Sequence, residues 1–425
     1  MSLSLPETPP ASTDARTRNE SGPSRPRGGQ ADRRTLLARL PALAAAIGVD
    51  AAAHESQRDL PYPGMALFRE SGLATLRVPA QLDGPGASIE DLIDVVSTLA
   101  AADSNLAHAL RLHFNITEGI ALTAPNPFIV RQAQRVLDGA IFGGASTELG
   151  TAKPGQFNVV LRRDGDRYRL SGRKYYATGT AFADYANVSV LDEEDRNIVV
   201  TIPVDRAGVE VLDDWDGMGQ RMTASGSLVL TDVEVFADEF VIRNYETLVG
   251  RHSSAMRQLH LVAVAAGIVR NALSDMTAYV QTRGRPANHS AADSARTDPF
   301  NQQIIGDLAA SSHAIDGLII QNARSLDRSA SAIEGNAPDA DDLVLESTLA
   351  TAKTQLIVGK LALEACERMF EAGGASATSR ALNFDRHWRN VRPLFSHNPL
   401  LHKSRVIGDW QLNGEATHLR EGKFF

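Results

Sequence analysis

The chain has 425 residues, 43% of them hydrophobic, and its 43 basic and 51 acidic residues give a formal charge of −8. This length supplies the core of about two to three ordinary domains. The acidic balance lacks the basic surface that phosphate binding demands, so we expect no nucleic-acid partner. No apolar run approaches the roughly 20 residues that span a bilayer, and no signal-peptide core follows Met1. We therefore expect a cytoplasmic protein without a membrane partner, and its single cysteine excludes an intramolecular disulfide.

The first 33 residues are rich in Pro, Ser, Arg and Gly and contain few large apolar groups. Such a composition cannot offset the entropy lost on ordering, so we expect a disordered leader at 1–33. Its arginines leave open a nucleic-acid arm or a transit peptide. Interspersed acidic residues and prolines favour a solvated leader over both.

After the leader, the hydrophobic period changes twice. Helical spacing predicts an N-terminal helical domain at 34–140, and alternation predicts a central all-β domain at 141–240. A hairpin is expected at Asp164-Gly165-Asp166, because glycine readily adopts the positive φ of a tight turn. Further strands are predicted at 187–191, 197–203, 208–212 and 227–236. Helical spacing then returns at 241–425, and its long segments predict a C-terminal four-helix bundle: 251–282, 299–329, 340–372 and 397–412.

Three motifs of the β domain carry a family resemblance. The segment FGGASTELG contains Thr147 and Glu148, residues 174–179 read KYYATG, and residues 217–221 read GMGQR. With the order of domains, these motifs resemble the acyl-CoA dehydrogenase superfamily. The resemblance implies an α+β multidomain fold of that kind: an N-terminal helical domain, a central all-β domain and a C-terminal four-helix bundle.

Three further segments resemble the superfamily's flavin-dependent monooxygenase branch, typified by dibenzothiophene monooxygenase. They are YYATGTAFAD at 175–184, DPFNQQIIGD at 298–307 and RHWRNVRPLFSHNPLLHK at 386–403. Acyl-CoA dehydrogenases commonly place a catalytic glutamate in the last segment, where this chain has Ser396-His397-Asn398. The alternative base position of the family is Arg257 here. Because neither position holds a carboxylate, the chain has no residue at a family position that could remove the α-proton of a thioester.

The resemblance implies the oxygenase component of a two-component flavin monooxygenase. Reduced FMN, favoured over FAD, would react with O2 to a flavin C4a-(hydro)peroxide and oxygenate a small, mainly apolar sulfur- or nitrogen-containing substrate. Sulfur metabolism, such as desulfurization, is one setting for this reaction. No dinucleotide fingerprint follows a strand, so an NAD(P)H-dependent flavin reductase is the expected partner. Family architecture also implies a homotetramer.

His397 is the first candidate catalytic residue, because an imidazole titrates near neutrality and its two nitrogens can donate and accept together. A helix-cap or core histidine is the alternative interpretation. Thr178 is the second candidate, since the resemblance places its hydroxyl and N–H beside flavin N5 and O4. His113 is the third, on a helix that reaches the pocket in related monooxygenases. A core histidine satisfied by the backbone is equally open at that position.

The resemblance also implies cofactor-binding and substrate-contacting residues. Arg283 occupies the place of a family arginine that binds the flavin pyrophosphate from a neighbouring subunit, but Pro286 replaces the family's following phenylalanine and disfavours FAD. Gly373-Gly374 would let backbone amides approach phosphate, with a helix C-cap as the alternative. The remaining cofactor-binding candidates are Thr147, Tyr176 and Thr178, and those for the substrate pocket are Trp215 and Met218.

Trp215 could equally be a core residue of the β domain. No metal site is expected, because no HExxH pattern occurs and one cysteine cannot build a thiolate site. Two rival functions stay open. One is an FAD-dependent acyl-CoA dehydrogenase or flavin oxidase with an unrecognised base, and the other is a catalytically silent flavin-binding relative.

Overall fold

The computed structural model describes residues 32–151, 156–397 and 399–422, and its N-terminal part is helical. Most of the expected leader lies outside the described residues. Its last two residues are ordered instead, because the Asp32 side chain caps the first helix through the amide of Thr35 at 2.8 Å. The helices of this part are α1 Arg33–Leu37, α2 Leu40–Gly48, α3 Ala51–Gln57, α4 Tyr62–Ser71, α5 Ile89–Ala102, α6 Ser104–Ala109, α7 Arg111–Leu122 and α8 Pro127–Leu137.

The helical pattern around residue 100 is divided at two points. Asp103 leaves helical geometry, with φ −145°, and its side chain accepts hydrogen bonds from the amides of Asn105 and Leu106. It therefore ends α5 and caps α6. A second break at Leu110 separates α6 from α7. These breaks place His108 in the last turn of α6 and Arg111 at the start of α7.

The β domain consists of two four-stranded sheets, with strand orders β1-β4-β5-β8 and β2-β3-β7-β6. Only the β1–β4 pairing is parallel among these strands. The predicted hairpin is confirmed, since β2 and β3 join at Gly165, whose φ is 66°. Strand β8, not predicted, is only three residues long. The strands are β1 Phe142–Ala145, β2 Leu161–Asp164, β3 Arg167–Lys174, β4 Tyr185–Leu191, β5 Asn197–Pro203, β6 Val209–Val211, β7 Leu228–Val235 and β8 Phe240–Ile242.

The C-terminal part is a helical bundle, which confirms the predicted fold class. The predicted segment at 397–412 corresponds to α13, which starts at Leu400, and a shorter helix that was not predicted, α12, precedes it and ends just after Pro393. Helix α9 is apolar and long enough to cross a bilayer, but 61% of its most apolar window is buried among the other helices. The helices are α9 Leu248–Thr282, α10 Pro299–Glu334, α11 Ala340–Gly373, α12 Asp385–Leu394, α13 Leu400–Asn413 and α14 Thr417–Arg420.

A buried polar network joins the N-terminal helices to the bundle. Arg77 donates to both carboxylate oxygens of Glu118 at 2.6 and 3.0 Å. The imidazole of His252 in α9 lies 3.0 Å from Glu118 and 2.9 Å from the Ser329 hydroxyl of α10. Burial opposes ionisation of Glu118, but the Arg77 charge and the His252 hydrogen bond outweigh it and lower its pKa to about 2. The network therefore holds α7, α9 and α10 together.

Candidate active site

The candidate site lies where one end of the β domain meets the helical parts. Gly179 ends the KYYATG segment with a left-handed backbone, φ 75°, and a Cβ there would lie 2.1 Å from the carbonyl oxygen of Ala109. Its amide donates to the carbonyl of Thr223 at 3.1 Å. Only glycine fits this junction, which holds the segment after β3 against α6 and against the segment before β7.

Thr178 belongs to a buried chain of hydroxyl groups. Its Oγ1 lies 2.8 Å from Oγ of Ser225, which in turn lies 2.6 Å from Oγ1 of Thr223. Thr223 donates its own proton to the carbonyl of Gln220 at 2.9 Å. Because each hydroxyl has one proton, Ser225 donates to Thr223 and Thr178 donates to Ser225. The Thr178 oxygen is therefore left with lone pairs that can accept a hydrogen bond.

The backbone N–H of Thr178 is also available. Among the residues that the structure describes, none accepts a hydrogen bond from this amide. Thr178 itself is 9% exposed, so the group is close to the protein surface without being freely hydrated. One residue thus presents an acceptor and a donor side by side, which matches the N5–H and O4 edge of a reduced flavin ring.

Gln220 connects the β domain to α12 and to α6. It is 1% exposed, and its side-chain amide donates to the carbonyl of Asn390 at 3.0 Å. Its Oε1 therefore faces Nδ1 of His108 at 3.2 Å and accepts from it. This contact places the proton of His108 on Nδ1 and leaves Nε2 as an acceptor. Burial, followed by the charge of Arg111, lowers the pKa of His108 well below its usual range, so its imidazole is neutral.

His397 lies in the turn between α12 and α13, where its amide donates to the carbonyl of Pro393 at 3.2 Å. The residue is exposed at the protein surface. Reduced hydration, followed by the charges of Arg111, Arg257 and Lys403, lowers the pKa of His397 to about 3. This low pKa does not agree with the titration near neutrality expected from the sequence. A catalytic role of His397 stays a prediction, and Asn398 lies outside the described residues.

The expectation that His113 reaches the pocket is also wrong. Its side chain is fully buried, its Nε2 lies 2.8 Å from the carbonyl of Ala74, and its Nδ1 accepts from the amide of Phe142 at 3.2 Å. Burial lowers its pKa to about 4. With both ring nitrogens engaged by backbone groups, His113 joins α7 to β1 as a core residue, and His108 is the histidine of this region that lies beside the site.

Aromatic side chains form a partly exposed wall next to the Gln220 segment. The ring of Trp215 lies 6.3 Å from that of Tyr175 and 5.9 Å from that of Tyr176, and its Nε1 donates to the Gln220 carbonyl at 2.8 Å. Tyr176 and Met218 are 49% and 52% exposed, and Tyr176 has a left-handed backbone with φ 57°. Trp215 is half-buried in this surface wall and does not lie in the β-domain core.

Thr147 lies beside this wall but contributes through its backbone. Its carbonyl accepts a hydrogen bond from the amide of Tyr175 at 2.8 Å. The adjacent Glu148 forms a buried ion pair with Lys174 and accepts from the amide of Asn158 at 2.7 Å. The threonine-glutamate and lysine-tyrosine motifs therefore lock the ends of β1 and β3 together. A flavin contact by Thr147 stays a prediction.

The predicted phosphate-binding residues lie elsewhere. Arg283 is exposed at the end of α9, and the 26 residues of helix after Arg257 put it about 39 Å from that residue. Gly373 packs against Met276, two turns before Arg283, so the glycine pair lies at the same end of the bundle. Gly374 caps α11 through its amide and the Phe370 carbonyl at 2.9 Å, with φ 58°. Within one chain, these residues cannot reach the surroundings of His397.

Sequence reasoning missed most of the groups that hold the site together. The missed residues are His108, Arg111, Gln220, Ser225 and Asn390. Gln220 was visible only as part of the GMGQR motif. Asn390 lies in the 386–403 segment that carries the family resemblance. His108, Arg111 and Ser225 have no local signature of their own, although an arginine placed between Leu110 and Leu112 was a signal of a buried cation.

Comparison with known proteins places these features in a family. Residues 145–233 and 259–400 match the middle-domain and C-terminal-domain models of acyl-CoA dehydrogenases. The probable FMNH2-dependent monooxygenase SfnC of Pseudomonas putida is 30% identical over 81% of this chain and 87% of its own length.

Two solved structures resemble the whole described fold. FMN-bound TdsC from Paenibacillus sp. A11-2 has a TM-score of 0.81 at 27% identity, covering 89% of this chain and 98% of TdsC. Methanesulfinate monooxygenase MsuC from Pseudomonas fluorescens has a TM-score of 0.80 at 26% identity, covering 89% and 97%. The chain therefore belongs to the acyl-CoA dehydrogenase family, in its flavin-dependent monooxygenase branch.

Proposed function

We propose that this protein is the oxygenase component of a two-component system that uses reduced FMN and O2 to oxygenate a small sulfur-containing compound. SfnC is FMNH2-dependent by name, TdsC has been solved with FMN, and MsuC is a methanesulfinate monooxygenase. A separate NAD(P)H-dependent flavin reductase would supply the reduced cofactor. The nitrogen-containing substrates that the sequence left open are a second choice, because TdsC and MsuC are named for sulfur compounds.

The uncharged hydrogen-bonding set around Thr178 and His397 carries this proposal. The Thr178 oxygen accepts, its amide donates, and the imidazoles of His108 and His397 are neutral. This donor set fits the polar edge of a flavin ring, which offers both an N–H and a carbonyl. When bound, reduced FMN supplies the two electrons and the reaction with O2.

The chain's own residues would orient the reactants and exclude water. Thr178 would hold the ring edge, and the neutral imidazole of His397 would hydrogen-bond the oxygen that is transferred. Trp215 and Tyr176 would cover one side of the substrate. One atom of O2 goes to the sulfur of the substrate, the other leaves as water, and the electrons come from the reduced flavin.

A dehydrogenase is the weaker alternative, since both base positions of that reaction hold non-acidic residues. Position 257 is arginine and position 397 is histidine. The charged side chains that shift the pKa of His397 are Arg111, Arg257 and Lys403. An acyl-CoA α-proton would find no carboxylate base at either family position.

Single-turnover oxygenation tests the proposal. FMN is reduced anaerobically, mixed with the protein and methanesulfinate or dimethyl sulfide, and then exposed to ¹⁸O₂. We expect a product heavier by one ¹⁸O atom, detected by mass spectrometry, only when the protein is present. Product without ¹⁸O, or oxidation of an acyl-CoA without O2, would contradict the monooxygenase assignment.

We also propose a homotetramer in which another subunit supplies the phosphate-binding residues. Arg283 and Gly373-Gly374 lie together at one end of the bundle, far along α9 from Arg257. Large apolar side chains are exposed on α13, where Leu401 and Leu412 are 85% and 84% exposed. Light scattering would contradict this if the mass stays at that of the 45.7 kDa chain.

A further inference from the structure

Arg111 is a buried cation without a countercharge. The residue is 8% exposed, and its Nε has no hydrogen-bond partner. Among the described residues Arg111 forms no ion pair, and burial lowers its pKa to about 10. The guanidinium is still protonated at neutral pH. A buried, unpaired charge destabilises a folded protein unless a ligand completes the site.

The other buried arginines of the described chain are neutralised. Arg77 forms the ion pair with Glu118, at 2.6 Å, and Arg251 forms one with Asp341. Both are as inaccessible as Arg111. The missing countercharge therefore distinguishes Arg111 from the other buried arginines of the described chain.

A second arginine faces the same region from α9. His260 Nε2 lies 2.9 Å from the carbonyl of Ala107, which presses α9 against the α6–α7 junction. Arg111 is one turn after Ala107, and Arg257 is one turn before His260. Arg257 is half-buried and donates to the Ser254 hydroxyl at 2.8 Å. The permanently charged side chains that act on its pKa, Arg243 and Arg111, are both cations and lower it.

The two arginines also act on His397, together with Lys403 from α13. Each of the three lowers the pKa of that imidazole, so their charges act on it from α7, α9 and α13. His397 itself is exposed, so one side of this cluster faces solvent. The surroundings of the proposed oxygen-transfer residue thus carry the positive charges of Arg111 and Arg257, in contrast to the mainly apolar substrate expected from sequence.

We propose that Arg111 and Arg257 form an oxyanion subsite beside His397, which binds the acidic head group of an anionic substrate such as a sulfinate, sulfonate or carboxylate. The proposal rests on the proposed monooxygenase function and names its substrate class. Guanidinium groups bind such oxyanions through paired, charge-assisted hydrogen bonds. A bound anion would supply the negative charge that no described side chain provides to Arg111. A neutral sulfide or aromatic thioether would leave Arg111 unpaired.

Equilibrium binding tests this subsite without turnover. Methanesulfinate and its neutral analogue dimethyl sulfoxide are titrated by calorimetry into the full chain, saturated with oxidised FMN, at constant salt. We expect the wild type to bind methanesulfinate at least about 10-fold more tightly than Arg111→Met does, because hydrogen bonds to charged groups are the strong ones. Arg162→Met, on the exposed strand β2, removes the same charge and should change nothing. The proposal would be overturned if Arg111→Met bound methanesulfinate as tightly as the wild type does. It would also be overturned if the wild type bound dimethyl sulfoxide as tightly as it binds methanesulfinate.

Thermal melting gives a second readout that a structural arginine would not show. Without ligand, Arg111→Met should melt at a higher temperature than the wild type, since it removes an unpaired buried charge. Methanesulfinate should raise the melting temperature of the wild type and not that of the variant. If Arg111→Met does not fold, the half-buried Arg257→Met takes its place in both experiments, and its undiminished methanesulfinate binding would sink the subsite.

Two further arms separate the possible explanations. The phosphate of FMN is also an oxyanion, so FMN and riboflavin binding are compared. If Arg111→Met weakens the binding of FMN but not that of riboflavin, the arginine belongs to the cofactor site and the substrate proposal is overturned.

A second arm separates the subsite from the proposed function. If the protein does not bind sulfinate but still transfers ¹⁸O to dimethyl sulfide, the subsite alone is refuted. Sulfinate binding without any oxygen transfer would refute the monooxygenase function and leave the subsite standing.

Discussion

Gln220 and Asn390 are joined by two hydrogen bonds that link the β domain to α12. The backbone amide of Gln220 donates to Oδ1 of Asn390 at 2.7 Å, and its side-chain amide donates to the Asn390 carbonyl at 3.0 Å. The neighbouring Gly219 permits this approach, because a Cβ there would lie 1.6 Å from the carbonyl oxygen of Arg389. The link sets the position of α12 and, through it, of the turn that carries His397.

Replacement of Gln220 by leucine should destabilise the protein. The substitution leaves the Asn390 carbonyl and Nδ1 of His108 without their partners, at a cost of about 1–3 kcal/mol for each buried unsatisfied group. The free energy of unfolding is measured from urea titrations. Gln303→Leu, on the exposed face of α10, is the matched control and should stay within about 0.5 kcal/mol of the wild type. Equal stability of the two variants would show that the link is not required.

The hydroxyl of Thr178 should matter more than its methyl group. Thr178→Val removes the acceptor, and we expect oxygenated product to fall about 10-fold or more, while Thr178→Ser should keep most of it. Ser225→Ala removes the group that orients this hydroxyl and should give an intermediate loss. Product yield per reduced FMN is the measurement. A fully active Thr178→Val would exclude the assigned hydrogen bond.

His397 should be needed for oxygen transfer but not for flavin binding. We expect His397→Ala to lower the product yield by about 100-fold, the lower end of the effect of a positioned proton donor or acceptor. The dissociation constant of FMN, from fluorescence quenching, should change by less than about twofold. His418→Ala, an exposed histidine at the end of the chain, serves as the control. Equal loss of FMN affinity and product would instead mark His397 as a structural residue.

Glu118 should stabilise the protein at neutral pH and lose that effect in acid. Its pKa in the folded chain, about 2, is below the ordinary 4.5, so its stabilisation is complete above pH 4.5 and disappears as the pH falls toward 2. Glu118→Gln should cost about 3–5 kcal/mol at pH 7, because it leaves Arg77 buried and unpaired.

Urea unfolding at pH 7, 4 and 3 tests this window. The difference in free energy of unfolding between the wild type and Glu118→Gln should shrink as the pH falls. Glu346→Gln removes a carboxylate from an exposed ion pair with Arg328 and should show little difference at any of these pH values. A Glu118→Gln difference that is constant with pH would exclude the ionised carboxylate as its cause.

Periodicity predicted the long elements well, because each buries one face along its whole length. Strand β5 lies at 197–203 as predicted, and the long helices α9, α10 and α11 were all anticipated. Two short elements were not predicted. Strand β8 has three residues and α12 contains Pro393, so neither offers a full hydrophobic period. Strand β6 is equally short but lies within the predicted 208–212.

His113 and His108 show why individual site residues were harder to predict. Both lie in a segment whose spacing predicts one continuous helix. The break at Leu110 places His108 in α6 and His113 in α7, so the two side chains have different surroundings. His113 faces backbone groups of Ala74 and β1, whereas His108 faces Gln220. These partners are more than 25 residues away in sequence, so no local pattern indicates which histidine borders the site.

The sequence by itself determined the class of fold, the family and the loss of both carboxylate bases, because periodicity and motifs are local properties of the chain. Only the tertiary structure decided which charges are neutralised. Arg77 and Arg111 are both arginines among apolar residues, yet one meets Glu118 and the other meets no acidic residue of the described chain. Pairing of buried charges depends on contacts between distant segments, and the unpaired charge of Arg111 adds to the burial that lowers the pKa of His397.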